Sequence, residues 1–185
     1  MSAISVAGDT SGSVTLQAPA VAGSTVLTLP AVSGTVALVV NAPAFSAYAN
    51  ADLSVASNVV TKVNINTEDF DTASCFDTTL YRFTPTVAGY YQVNGLVACT
   101  GATTLTQVNA YLYKNGASVL RSGVISATLS TGGQTQAILS TLIYMNGSTD
   151  YLELYGMLAG TGALAFAYFL PTNTSSFSAA LVRSA

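Results

Sequence analysis

Residues 82–95, RFTPTVAGYYQVNG, constrain the fold of this chain more than any other segment. Pro85 restricts its own φ and has no N–H to donate, and Gly89 can adopt the positive φ that a tight turn requires. Beyond the turn, apolar side chains recur at alternate positions: Tyr91, Val93, Val97 and Cys99. This period of two is typical of a β-strand with one buried face. The segment therefore predicts a turn followed by a long core strand, around which the other strands pack.

Similar short segments follow one another through the C-terminal part of the chain. The segments predicted as strands are 45–48, 59–64, 80–84, 108–113, 136–144, 151–155, 163–170 and 177–182, with a further strand around Val119. Asn115-Gly116 and Asn146-Gly147 are strong signals for tight turns between strands. About ten short strands without a helical period predict an all-β antiparallel sandwich.

The composition indicates an unusually neutral surface. Half of the 185 residues are hydrophobic and only 7% are charged, against about 25% in an ordinary soluble protein. We expect copies of the chain or a larger assembly to cover much of this surface. The net charge of −3 without a basic cluster argues against a nucleic-acid partner. No apolar segment is long enough to predict a membrane helix, and no basic segment predicts a secretory signal.

The segment around the turn resembles a motif of the trimeric jelly-roll heads of the complement first component (q subunit) and tumour necrosis factor, called here the head family. That motif, an F-T-x-P-like start followed by G-x-Y-x-F, appears here as Phe83, Thr84, Pro85, Gly89 and Tyr91. Val93 stands where the family usually has Phe. The segments at 45–48 and 177–182 resemble the first and closing strands of the family, although Ala179 and Ala180 replace the usual Gly and Phe. The resemblance covers residues 43–183 and implies an antiparallel jelly-roll sandwich that forms a homotrimer.

Five tyrosines lie in or beside predicted strands and alternate with predicted core residues: Tyr111, Tyr113, Tyr144, Tyr151 and Tyr155. Such rings can stack on sugars or form the apolar seam of an oligomer. In the head family, aromatic and aliphatic residues of the inner sheet pack about the threefold axis, so the resemblance favours a trimer interface at these five positions. Residues 136–144 are apolar on both faces, as expected for a strand between its own core and a neighbouring subunit.

Residues 1–40 differ from the rest because they are small, β-prone and almost uncharged. VTLQAPAVAGSTV at 14–26 is echoed by LTLPAVSGTV at 27–36, which predicts short strands joined by turns. A disordered linker is the alternative, but the content of Val, Leu and Thr favours an ordered arm. The repeat resembles N-terminal segments of tailed-bacteriophage virion proteins. Asn41-Ala42-Pro43 marks the predicted boundary between an arm at 1–42 and a head at 43–185.

The chemistry-bearing residues offer few catalytic options. The chain has no histidine, which excludes Ser-His-Asp and Cys-His catalysis and His-containing metal sites. Four acids in the predicted loop at 68–77 are weak calcium candidates: Glu68, Asp69, Asp71 and Asp77. A solvated loop is the favoured interpretation and a glycosidase pair the least favoured. Cys75 and Cys99 are predicted to be two structural thiols, with a disulfide between them as the alternative. We expect no cofactor and no enzymatic activity.

Together with these patterns, the resemblance of the arm to phage virion segments implies a structural virion protein of a tailed phage, located in the particle after assembly in the host cytoplasm. The homotrimeric head would decorate the capsid or form the knob of a short fibre, and the arm would fasten it to other capsid or tail proteins. The alternative is a module that recognises a glycan or protein on the host surface through loops at the free end of the head.

Overall fold

The computed structural model describes residues 3–7, 11, 13–17, 42–122, 135–168 and 174–185. The chain divides into two compact units, Met1–Leu38, which contains most of the predicted arm, and Val39–Ala185, which contains the predicted head. Among the described residues, no helix is long and apolar enough to cross a membrane.

The first unit contains a two-stranded antiparallel sheet. Strand β1 spans Ala3–Ala7 and β2 spans Ser13–Gln17, with Ala3 opposite Gln17 and Ala7 opposite Ser13. Strand β2 includes the start of the first predicted repeat copy. The remainder of that copy, the second copy at 27–36 and the end of the predicted strand at 163–170 lie outside the described residues.

The second unit contains eleven antiparallel strands in the described part of the chain. They are β3 (Ala44–Tyr48), β4 (Leu53–Ser54), β5 (Thr61–Lys62), β6 (Thr67–Asp71), β7 (Phe76–Asp77), β8 (Arg82–Phe83), β9 (Gly89–Lys114), β10 (Ala117–Ser122), β11 (Thr135–Met145), β12 (Leu152–Phe166) and β13 (Ser176–Ser184). Their main order is β6-β3-β13-β9-β12-β8-β7, with β10 and β11 also pairing β9, and β4 and β5 pairing β12.

Strand β9 joins two layers because its halves have different neighbours. Residues 89–99 pair with β11 and β13, whereas residues 99–114 pair mainly with β12, and the last of them also with β10. We call β6, β3, β13, the first half of β9 and β11 the first sheet. The second half of β9 with β10, β12 and the short strands β4, β5, β7 and β8 is the second sheet. Gly95 of the first sheet lies so close to Leu154 of the second that an added Cβ would collide with it. The predicted antiparallel sandwich is confirmed.

The core lies between the sheets and is organised by the segment around the turn. Tyr91, Val93, Val97 and Cys99 are fully buried, as their alternation predicted, and so are Val108, Ala110 and Leu112. The ring of Phe83 meets Tyr91 edge-on at 5.6 Å. Phe83 also stacks on Phe45, which contacts Phe76 and Phe177. The strand after the turn thus contacts an aromatic cluster that contains residues of the first strand of the head, β3, and of its last strand, β13.

Gly89 has a different role from the predicted one. Its φ is 159°, close to extended backbone, so no tight positive-φ turn requires a glycine there. An added Cβ would instead collide with the carbonyl oxygen of Arg183 in β13. Glycine is needed at this position because two paired strands approach closely.

Both Asn-Gly turns are confirmed. Asn115 and Gly116 have φ values of 54° and 79° and connect β9 to β10, the geometry that favours this dipeptide in two-residue hairpins. At the second turn, the side-chain oxygen of Asn146 accepts hydrogen bonds from the N–H groups of Ser148, Thr149 and Asp150.

Two predicted elements differ from the structure. Part of the predicted acidic loop is β6, an edge strand paired with β3 whose exposed acids discourage further strand pairing. The predicted strand at 59–64 contracts to β5, because Val59 and Val60 are exposed and the chain buries Val63 and Ile65 instead.

Cys75 and Cys99 are both buried and form no disulfide with each other, in agreement with the prediction of two thiols. Burial raises the pKa of Cys99 to about 11, so its thiol is not ionised near neutral pH.

We expect Gly156→Ala to lower the free energy of unfolding by about 1–3 kcal/mol, the usual cost of overpacking a core. The added Cβ would lie 2.7 Å from the ring of Phe166 and 2.8 Å from Val97. Chemical denaturation measures the loss. Gly116→Ala is the control, because the added Cβ would make only an ordinary contact with the hydroxyl of Tyr151 at 3.5 Å, and the remaining cost is the backbone cost of the positive φ. A Gly156→Ala variant as stable as the wild type would contradict the tight packing of the two sheets.

Candidate functional site

The structure divides the five predicted interface tyrosines between two opposite faces of the sandwich. Tyr144 lies on the exposed face of the first sheet, where it pairs across the strands with Tyr90. Tyr111, Tyr113 and Tyr155 lie on the exposed face of the second sheet, and Tyr151 adjoins them. Because the core separates these faces, the five side chains do not form one continuous patch on a single chain.

The exposed face of the first sheet, which we call the seam face, consists of four cross-strand pairs between β9 and β11. The pairs are Tyr90–Tyr144, Gln92–Leu142, Asn94–Ser140 and Leu96–Ile138. Leu142 is 55% exposed, and Tyr90 and Tyr144 are 46% and 43% exposed. None of the eight residues is charged. Five of the eight side chains are large and apolar, and they lie on either side of three polar residues, Gln92, Asn94 and Ser140. Clustered apolar side chains on a surface mark interaction sites more often than isolated exposed residues do.

A polar network crosses the centre of the seam face. Gln92 Nε2 donates to Ser140 Oγ at 2.9 Å, and Ser140 Oγ donates to Asn94 Oδ1 at 2.9 Å. Ser178 and Ser46 continue the row across β13 and β3. Small polar residues in this row leave the surface flat between the larger side chains, so another protein surface can approach it closely.

The second exposed face carries a tyrosine cluster with three charged residues. The rings of Tyr113 and Tyr155 stack with centroids 4.1 Å apart. Tyr111 is buried beside them and accepts a hydrogen bond from Asn109 Nδ2 at 3.1 Å. Burial raises the pKa of Tyr155, and the negative charge of Glu153 raises it further, so this hydroxyl remains protonated over the physiological range.

Glu153 is the centre of this second face. It is only 3% exposed, although it alternates with the core residues Leu152 and Leu154 and therefore points away from the core. Its Oε1 lies 2.7 Å from Lys62 Nζ and 3.1 Å from Arg82 Nη2. The guanidinium of Arg82 also lies 3.8 Å above the ring of Tyr151. We call Lys62, Arg82, Glu153 and the rings of Tyr113, Tyr151 and Tyr155 the cationic tyrosine face.

The charged part of this face was not among the sequence-based site predictions. Glu153 alternates with Tyr151 and Tyr155 in the sequence, which was a visible signal that it lies on their face. Lys62 and Arg82 gave no such signal because they come from β5 and β8, strands of only two residues. The pairing of those strands with β12 brings both cations to one carboxylate.

The four calcium candidates do not converge on one site. Asp69 accepts a hydrogen bond from Ser46 Oγ, Asp71 from the N–H groups of Ala73 and Phe76, and Asp77 from those of Thr79 and Leu80. Glu68 lies exposed on the edge strand β6. Among the described residues, no group of three or more Asp, Glu, Cys or His side chains is placed to hold a metal ion. Asp71 and Asp77 thus act in local turns.

No protein-family model matches this sequence, and no curated protein does. Solved structures do match it. The globular domain of zebrafish complement 1qA protein is similar with a TM-score of 0.56 and 17% identity, over 78% of this chain and 99% of that one. Eiger TNF from S. frugiperda has a TM-score of 0.54 and 11% identity, over 78% and 93% of the two chains. Murine APRIL has a TM-score of 0.55 and 9% identity, over 76% and 99%. These similarities confirm the predicted jelly-roll fold.

Proposed function

We propose that this protein is a structural, non-enzymatic virion protein of a tailed phage, with a homotrimeric jelly-roll head and an N-terminal attachment arm. It either decorates the capsid or forms the knob of a short fibre. The proposed homotrimer is supported by the seam face, and the proposed attachment of the arm is supported by the repeat in residues 14–36.

The trimer is supported by the apolar character and position of the seam face. A single chain leaves Leu142, Tyr90 and Tyr144 about half exposed on a surface without charges. Burying such side chains against neighbouring copies removes apolar surface from water, which stabilises an oligomer by about 25 cal/mol per Å² before the costs of association. The similarity of the fold to complement and TNF heads favours three copies over two.

We expect the purified protein to scatter light with three times the 18.8 kDa mass of one chain at micromolar concentration. Leu142→Asp places a charge at the centre of the seam face and is expected to give folded monomers. Val119→Asp is the matched control, because Val119 is similarly exposed but belongs to β10 in the second sheet. A wild-type monomer, or a Leu142→Asp trimer, would overturn the assignment of the seam face.

The virion role is supported by the low charge and the repeat of the arm. Strands β1 and β2 form a sheet of only two strands among the described residues of their unit. An isolated two-stranded sheet is at best marginally stable in water. A β-prone segment of this kind can add strands to the sheet of a partner, which suits a segment that fastens the head to another virion protein.

The second candidate function is a module that recognises a receptor on the host surface. The cationic tyrosine face favours it, because exposed aromatic rings beside cations are typical of binding surfaces and are not needed for the seam. Quantitative labelling of intact particles distinguishes the two roles. Many copies over the capsid support decoration, whereas a few copies at a tail or vertex support receptor binding.

A further inference from the structure

We propose that the cationic tyrosine face binds a saccharide that carries a carboxylate, such as a hexuronic acid unit. This inference rests on the second candidate function, and it places recognition on a sheet face instead of on the loops at the end of the head. It does not depend on the trimer.

Glu153 positions two cations without using all of their hydrogen-bond donors. Arg82 donates to Oε1 from Nε at 3.3 Å and from Nη2 at 3.1 Å. A guanidinium has five N–H donors in a planar fork, and no hydrogen bond in the described part of the chain engages its Nη1 group. The side chain of Arg82 is 31% exposed and that of Lys62 is 25% exposed. The remaining donors can therefore reach a bound carboxylate, which Arg recognises in a bidentate manner.

The face carries two cations, Lys62 and Arg82, and two carboxylates offset them. Glu153 contacts both cations, and Asp77 lies opposite Arg82 in the pairing of β7 with β8. A nucleic acid needs several grouped cations to neutralise successive phosphates. Recognition therefore depends on the unengaged donors of the single guanidinium of Arg82, which match one carboxylate for each bound unit.

The aromatic rings supply the second half of the recognition. A pyranose ring presents faces of weakly positive C–H groups, which pack against the electron-rich face of an aromatic ring. Tyr113, Tyr151 and Tyr155 are each partly exposed. Arg82 covers one face of the Tyr151 ring, and the rings of Tyr113 and Tyr155 stack on each other. A sugar therefore packs against the remaining face or the edge of a ring while its carboxylate meets Arg82.

A strained residue borders this face. Tyr81 has a φ of 52°, a conformation that bulky residues rarely adopt and that is common at ligand sites. Lys62 Nζ donates to the neighbouring carbonyl of Leu80 and lies 6.0 Å from the centre of the Tyr81 ring. The same cation therefore holds the loop that carries Tyr81 beside the binding face.

The wild-type protein gives the first test. It is titrated with a tetrasaccharide of alternating glucuronic acid and N-acetylglucosamine, and separately with a tetrasaccharide of N-acetylglucosamine alone. We expect the acidic probe to bind at least tenfold more tightly, with NMR shift changes at Lys62, Arg82, Tyr151 and Tyr155. Equal binding of the two probes, no binding at millimolar concentration, or shift changes confined to other surfaces would overturn the proposal.

Matched variants give the second test. Arg82→Lys keeps a positive partner for Glu153 but removes the fork, and Tyr113→Leu keeps all the charges but removes one ring. We expect at least tenfold and threefold weaker binding, with circular dichroism and thermal midpoints that show folded protein. Arg183→Gln removes one exposed charge from the first sheet and should bind as the wild type does. Unchanged affinity in both test variants would overturn the proposal. A change of mass in light scattering for Arg82→Lys would also overturn it and assign the face to contacts between copies.

Discussion

We expect the Tyr91→Ala variant to lose about 3–5 kcal/mol of unfolding free energy, the usual cost of truncating a buried aromatic side chain. Tyr91 is fully buried, meets the edge of Phe83 and donates its hydroxyl hydrogen to the carbonyl oxygen of Val87 at 2.7 Å. Burial raises the pKa of this hydroxyl to about 12, in keeping with its apolar surroundings. Because a typical domain is stable by only about 5–15 kcal/mol, the loss removes a large part of the stability, and a head at the low end of this range unfolds.

Tyr90 is the matched control for this result, because it is the neighbouring residue with the same side chain on the opposite face of β9. Urea unfolding of Tyr90→Ala at several protein concentrations should show a smaller loss that depends on concentration, since this variant removes one surface ring contact, with Tyr144, and the contacts of Tyr90 in the proposed trimer. Tyr91→Phe should lose about 1 kcal/mol, because it removes only the hydrogen bond to Val87. Equal losses of unfolding free energy for the two alanine variants, independent of concentration, would contradict the assignment of Tyr91 to the buried face of β9 and of Tyr90 to the exposed face.

Deleting residues 1–40 is expected to leave a folded, soluble trimeric head that no longer attaches to its particle. The core residues of the head and the whole seam face lie beyond this segment. The deletion therefore removes no described side chain from the core. It removes β1 and β2, the strands that we propose add to a partner.

Attachment should fall much more than the contacts of one arm suggest. Three arms on one trimer bind as a linked set, and linkage multiplies the affinity through effective concentration, often by a factor of about 10²–10⁴. Loss of all three arms removes this gain at once. The decrease in affinity for the particle should therefore be large enough to measure by co-sedimentation.

Particles that lack the protein provide the measurement. Full-length and truncated proteins are mixed with them separately, and the bound fraction is measured after sedimentation. Light scattering of the truncated protein is the control that it remains a trimer. If the truncated head binds as tightly as the full chain, the arm is not the anchor.

The alternation of apolar residues determined most of the fold at the level of single strands. Tyr91, Val93 and Val97 are buried because side chains of a strand alternate between its two faces, and this property needs no partner strand. The Asn115-Gly116 turn was equally local, because asparagine and glycine tolerate positive φ values and few other residues do. These features could be predicted from the sequence because each depends on residues that are near one another in the chain.

The tertiary structure alone decided which faces the residues share. Tyr144 and Tyr113 both alternate with core residues, yet they lie on opposite sides of the sandwich because β11 pairs with the first half of β9 and β12 with the second. Glu153 meets Lys62 and Arg82 through strands of two residues, too short to show any period. Alternation specifies whether a side chain faces inward or outward. The pairing of distant strands specifies which surface it joins, and that pairing depends on the packing of the whole core.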